Sequence, residues 1–218
     1  MIRRVIILTK SSKYGGYCVA GIDIQNGNWI RLISDDDETH GALSDEDIQY
    51  ENGEYCKPLD IVEVQIVRNI PSEYQPENML IDSDEYWQKI GTATIDGVQI
   101  IHPAEEHEYI LGFNEGPYIT DRNIERVGHS LVLVEVDDLT LSHPEQDRRP
   151  KANFTYRGKT YENMSVTDED FYHHPDRWHT NKAVLVMSLP DAPVHIDNGS
   201  DSGSDRYYKF VARIFPLE

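Results

Sequence analysis

Short apolar runs separated by turn residues recur along this chain. Residues 5–9, 17–24, 29–34 and 61–70 are each rich in Val, Ile, Leu or aromatic residues, the composition that suits a pleated, half-buried strand. Between the second and third runs lies Gln25-Asn26-Gly27-Asn28, a hairpin signal, because Asn-Gly tolerates the positive φ angles of tight turns. Gly15-Gly16 stands between the first and second runs and allows a bend or a close approach. Pro71 closes the fourth run. Farther on, residues 130–141 read as a strand that alternates after Val132. Phe154-Thr155-Tyr156 and Thr160-Tyr161 flank Arg157-Gly158-Lys159 as a second hairpin, its arms alternating aromatic and polar side chains. Residues 165–171 begin as strand and end in a capped turn, 183–189 form a strand, 197–205 form a low-complexity loop, and 207–215 close the series. No exact internal repeat is visible.

The segment 71–128 is broken by Pro71, Pro76, Pro103 and Pro117. Within it, Asp82-Ser83-Asp84 ahead of residues 85–90 predicts a capped short helix with acids in its first turn. The expected fold is mostly β, two small barrel-like halves packed together with a few short helices. The expected organisation is a first barrel over 1–75, a connecting segment with a short helix over 76–128, and a second barrel over 129–218.

Composition narrows this picture. The chain has 218 residues, 39% hydrophobic and 10% aromatic, enough for a core in one large β domain or two small ones. Two cysteines, Cys18 and Cys56, are too few for a disulfide framework and read as thiols in strands. The opening apolar run ends at Thr9-Lys10, too short for a signal-peptide core or a membrane span, so a cytoplasmic location and no membrane partner are expected. The formal net charge of −19 disfavours a polyanion, whose field it opposes. The charge is uneven, however. Residues 1–34 hold Arg3, Arg4, Lys10, Lys13 and Arg31 against Asp23 alone, a local +4. Residues 35–54 hold nine carboxylates and no Lys or Arg. That acidic stretch reads as a solvated loop, or as a gate at the rim of the basic surface.

The block TKSSKYGGYCVAGID at 9–23, followed by WIRLIS at 29–34, resembles a prokaryotic family described as a dual OB-containing domain. SLVLV at 130–134, FTYRGKTY at 154–161, SVTD at 165–168 and YKFVARIF at 208–215 are similar to it as well. The resemblance implies two OB-type barrels and, by analogy with OB folds, a nucleic-acid or nucleotide-type ligand.

Candidate chemistry gathers in three places. In the first, Lys10, Lys13 and Arg31 meet phosphates while Tyr14, Tyr17 and Trp29 stack on bases. OB-type surfaces bind single strands with this combination, at about 1–3 kcal/mol per stacked base. Alternatively the rings are core and the cations solvated surface. In the second, Phe154, Tyr156, Arg157, Lys159 and Tyr161 place aromatics on a hairpin with cations at its tip, or serve as ordinary cross-strand packing. In the third, Asp168, Asp170, His173, His174 and His179 offer carboxylate and imidazole ligands for a divalent metal, but without HExxH or paired-Cys spacing. Thr167-Asp168 reads more simply as a turn cap. No G-x-S-x-G elbow, Walker loop or G-x-G-x-x-G is present. The expected function is a noncatalytic module without cofactor that binds single-stranded nucleic acid or a nucleotide-like ligand through Lys10, Lys13, Tyr14, Tyr17, Trp29, Arg31, Tyr156, Arg157 and Lys159. The alternatives are an acidic protein-interaction or sensor module, and a metal-dependent hydrolase using the Asp168 cluster.

Overall fold

Alternation in the sequence becomes strand in space. In β4 (Asp60–Asn69), Val62, Val64 and Ile66 are buried while Ile61, Glu63 and Gln65 are half-buried on the other face, the period-two signature of a strand. The computed structural model describes residues 1–144, 149–174, 178–196 and 204–217. Two units separate, one from residues 1–72 with 76–103 and the other from 73–75 with 104–218.

The first unit contains β1 (Ile2–Lys13), β2 (Gly16–Asp23), β3 (Trp29–Ile33), β4, β5 (Asn78–Ile81), β6 (Gln88–Thr92) and the helix α1 (Ile95–Ile101). Strand β1 pairs antiparallel with β2 and β4, β2 with β3, and β4 with β5, while β3 and β5 run parallel with Arg31 opposite Asn78. These pairings complete the circuit β1–β2–β3–β5–β4–β1, and β6 adds to β4 outside it. The β1–β2 crossing is close. A Cβ on Gly21 would stand 2.0 Å from the Ile6 carbonyl oxygen, so only glycine fits there.

The second unit contains β7 (Tyr118–Thr120), α2 (Asp121–Ile124), β8 (Leu131–Ser142), β9 (Lys151–Tyr156), β10 (Lys159–Val166), a 3-10 turn at Glu169–Phe171, β11 (His179–Ser188), β12 (Val194–Ile196), β13 (Ser204–Tyr208) and β14 (Phe210–Leu217). Strands β8–β9–β10–β14–β11 close a barrel, and β10 and β14 are its parallel pair. Numbered by order within each barrel, both circuits run 1-2-3-5-4-1 with strands 3 and 5 parallel. The repeat that is invisible in the sequence is thus present in the topology. A small sheet β12-β13-β7 accompanies the second barrel.

The barrels are plugged differently. Inside the first, Leu43, Ile48, Tyr50 and Cys56, all from the β3–β4 connection, join Val5, Ile7, Val19, Val62 and Trp87 in one core. The acidic stretch is therefore anchored: its carboxylates at 35–38 and 45–46 are exposed while its apolar residues fill the barrel. Inside the second, Ile110, Leu111, Ile119 and Ile124, which precede the barrel, join Phe154, Tyr156, Tyr161, Met164 and Ile214.

Residues 82–90 differ from the helix expected of them. Trp87 is fully buried and residues 88–92 pair with β4; burying that indole outweighs the local capping signal. The helix lies further on, at α1, where the Thr94 hydroxyl accepts from Gly97 N. The segment 76–103 carries β5, β6 and α1. Most of the loop expected over 197–205 lies outside the described residues. No described helix is long and apolar enough to cross a membrane.

Candidate ligand-binding site

At the end of the first barrel the β1–β2 turn meets the β3–β4 connection. Tyr14 and Gly15 make the turn with φ of 46° and 83°, and the Tyr17 and Leu43 backbones exchange hydrogen bonds of 2.8 and 2.9 Å. A Cβ on Gly16 would lie 2.5 Å from the Leu43 carbonyl oxygen, so glycine permits this approach. The Tyr14 ring, 59% exposed, stacks on His40 at 4.7 Å. Lys13 donates from Nζ to the His40 carbonyl at 2.6 Å. Lys10 holds its ammonium 4.4 Å from the centre of the Tyr17 ring, a cation–π contact. Beside Tyr14 opens a cavity of about 250 Å3, lined by Gly15, Ser34, Asp35, Asp36, Ser44 and Asp47 among others. Of the expected ligand residues, Tyr14 lines this cavity and Lys13 is tied to the His40 on which it stacks, while Lys10 and Tyr17 form a separate pair on the neighbouring strand positions.

Trp29 and Arg31 lie elsewhere. Trp29, half-buried at the start of β3, meets His102 edge-on at 5.3 Å. Arg31 is 4% exposed. Its guanidinium reaches Cys18 Sγ at 2.8 Å and Glu77 Oε1 at 3.6 Å. Neighbouring Ala20 and Ile22 on the same outer face are fully buried. On the outer face of β2–β3 in this barrel, Ala20, Ile22 and Arg31 are thus closed to solvent, while Cys18 and Trp29 are half-buried.

The second hairpin turns out to hold the chain's own segment. Arg157 and Gly158 form its turn with φ of 51° and 76°. Tyr156 is buried in the core, and its hydroxyl proton is shared between the His107 and Glu105 carbonyls at 2.9 and 3.1 Å. Arg157 pairs with Glu106 at 2.7 Å, the Lys159 ammonium lies 4.8 Å from the centre of the Tyr109 ring, and Tyr161 Oη accepts from Ile110 N at 3.0 Å. Burial raises the Tyr156 hydroxyl above its ordinary range and pushes Tyr161 up to about 12. Phe154 stacks on Tyr161 inside the barrel at 5.3 Å. The aromatic and basic side chains of this hairpin bind a strap, residues 105–110.

Asp168 is 1% exposed and caps the 3-10 turn through Asp170 N at 3.2 Å. It also accepts from Ile214 N and from Arg213 Nη1, both at 3.0 Å. Arg213 pairs with Asp170 as well. Desolvation pushes the Asp168 carboxyl up, and Arg213 pulls it back. His174 stacks on Phe171 at 4.7 Å, so its ring joins the barrel wall. Among the described residues no group of three His, Cys, Asp or Glu side chains is placed to hold a metal ion. Both cysteines are free thiols, and desolvation pushes Cys56 up to about 12.

One group escaped sequence reasoning. Lys209, 1% exposed, sits between β13 and β14. It donates from Nζ to the Asn114 carbonyl at 2.8 Å, and desolvation lowers it to about 8. Its only local signal was a cation inside the closing apolar run 207–215.

Two five-stranded barrels of one strand order, each with its own core, define a protein of the tandem OB-barrel class. A family model for a dual OB-containing domain matches residues 3–214, and the chain belongs to that family. Neither a curated protein nor a solved structure matches it.

Proposed function

We propose that this chain is a binding module that takes a single-stranded nucleic acid or nucleotide-like ligand at the β1–β2 end of the first barrel. One observation carries the reading: the exposed Tyr14 ring, stacked on the His40 whose carbonyl Lys13 holds, rims an open cavity. In OB-type barrels the loop between strands 1 and 2 is one of the ligand loops. A base stacks on Tyr14, the phosphate meets Lys13 and Lys10, and Asp35, Asp36, Asp47 and Ser44 accept sugar hydroxyls or exocyclic amines. The role is binding: the hydroxyl–carboxylate pair in the lining, Ser44 with Asp47 at 2.8 Å, also engages the Ser44 and Asp47 amides and so closes a local turn. Arg31 and Tyr156, being buried, do not touch the ligand.

The test is fluorescence anisotropy with a short labelled oligonucleotide over a salt series. Tyr14→Ala and Lys13→Ala each weaken binding, and the Lys13 change lowers the salt slope by roughly one unit. Absence of binding at low salt by both the wild type and a variant with residues 35–38 neutralised would remove the nucleic-acid reading. A second reading is a basic protein partner, supported by the exposed carboxylates at 35–38 and 45–46. The same neutralised variant would then lose affinity for a labelled oligolysine peptide.

A further inference from the structure

We infer that the second unit carries its own small-molecule pocket, for a planar heteroaromatic ring bearing an anionic group, of the nucleoside monophosphate class. The inference stands on the second unit alone and does not depend on the first-barrel reading. The strap supplies one wall. Its backbone is fixed by Glu105 N donating to the Leu133 carbonyl at 2.7 Å and by the Tyr156 and Tyr161 hydroxyls. The residues after α2 supply the other wall. Between them opens a cavity of about 300 Å3, lined by His107, Tyr109, Phe113, Arg126 and His129, with Glu108 at its side. That size is at the low end for small-molecule sites and suits one nucleotide rather than a strand.

The lining points to a ring and a charge. His107 and His129 lie nearly parallel, with centroids 5.2 Å apart. His107 Nε2 is engaged by Glu105 at 2.7 Å. His129 Nε2 is buried and has no hydrogen-bond partner among the described residues. A buried polar atom without a partner carries a desolvation cost that a ligand group removes on binding. Phe113 is 43% exposed, and the Arg126 guanidinium lies 4.6 Å from the centre of its ring. Among the described residues Arg126 meets no carboxylate at ion-pair distance; it reaches only the Asn123 side-chain oxygen at 3.4 Å. A base lies along the aromatic wall and bonds His129 Nε2, its phosphate takes Arg126, and Glu108 accepts an amino or hydroxyl group.

The experiment follows the histidine ring resonances by NMR during titration with adenosine 5′-monophosphate, with adenosine and ribose 5-phosphate as controls. The His107 and His129 signals are expected to shift saturably with the nucleotide. Arg126→Ala, an exposed change, should weaken the nucleotide about tenfold, the worth of one charge-assisted contact, and leave adenosine within about twofold. Phe113→Ala should weaken both, and Tyr14→Ala should change neither. No saturable shift at these two histidines at millimolar nucleotide overturns the inference. So does an equal response to ribose 5-phosphate, which would mark an anion site without ring recognition, and so does loss of the response in Tyr14→Ala, which would assign it to the first barrel.

Discussion

The two barrels share a strand circuit and differ in what they do with the same face. In the first, the outward side chains of strands 2 and 3 include Ala20, Ile22 and Arg31, all buried. In the second, the corresponding positions on β9 and β10 are Asn153, Thr155, Thr160 and Glu162, half-buried or exposed and polar. Lys151 donates there to the Ser165 hydroxyl at 2.8 Å, and Asn153 accepts from Asn163 N at 2.8 Å. The plugs differ as well: the first barrel is filled from its β3–β4 connection and the second from a segment that precedes it. Topology therefore specifies a barrel, while the binding surface is written separately into each by side chains and by the segment that closes it.

Trp87→Ala cuts deepest into the comparison. It empties a fully buried indole from the first core and should cost about 4 kcal/mol. Because each unit has its own core, amide-exchange protection should fall across β1–β5 and hold across β8–β14; loss in both would show that the barrels fold as one. The counterpart in the second barrel is Asp168→Ala, which strands Arg213 without its buried partner and should cost about 3 kcal/mol by urea melts, with protection lost across β8–β14.

Lys209 gives the second barrel a pH dependence of its own. The folded state lowers this lysine to about 8, below the unfolded value, so the unfolded chain holds the extra proton and stability rises with pH across that gap. Wild type should gain about 2 kcal/mol over Lys209→Met between about pH 7.5 and 9.5. A constant difference between the two in urea melts over that range would remove the buried ammonium from the account.

The smallest effects concern ligand. Tyr14→Ala should lose about 1–3 kcal/mol of single-strand affinity, whereas Arg157→Ala, whose guanidinium is engaged by Glu106, should change it by less than about 0.5 kcal/mol. A reversal of these two in anisotropy titrations would move the ligand face to the second barrel.

Much of this architecture was readable from local pattern. The alternation at Val62, Val64 and Ile66 and the Arg157-Gly158 turn each carry their own signal within a few residues. The 82–90 segment was misleading because Asp-Ser-Asp satisfies a capping pattern equally well in a turn, and only the distant β4 makes residues 88–92 a strand. The α1 helix had a local signal in Thr94 and the spacing of Ile95 and Val98. The candidate cluster was legible where its parts are neighbours, at Lys13 and Tyr14. It was illegible where a partner lies far along the chain, as Glu77 does for Arg31 and the strap does for Tyr156, Arg157 and Lys159.

Each barrel closes through a parallel pair, Arg31 with Asn78 in one and Ser165 with Phe210 in the other. A parallel pair cannot be joined by a tight hairpin, so its loop-closure entropy is met late in folding. During synthesis the first barrel has all five ring strands once β5 has emerged, long before β14 is made. The strap, with Ile110 and Leu111, emerges before any strand of the barrel it plugs. Those two side chains must wait in water, or in a chaperone's grasp, for a cavity that the ribosome has yet to supply.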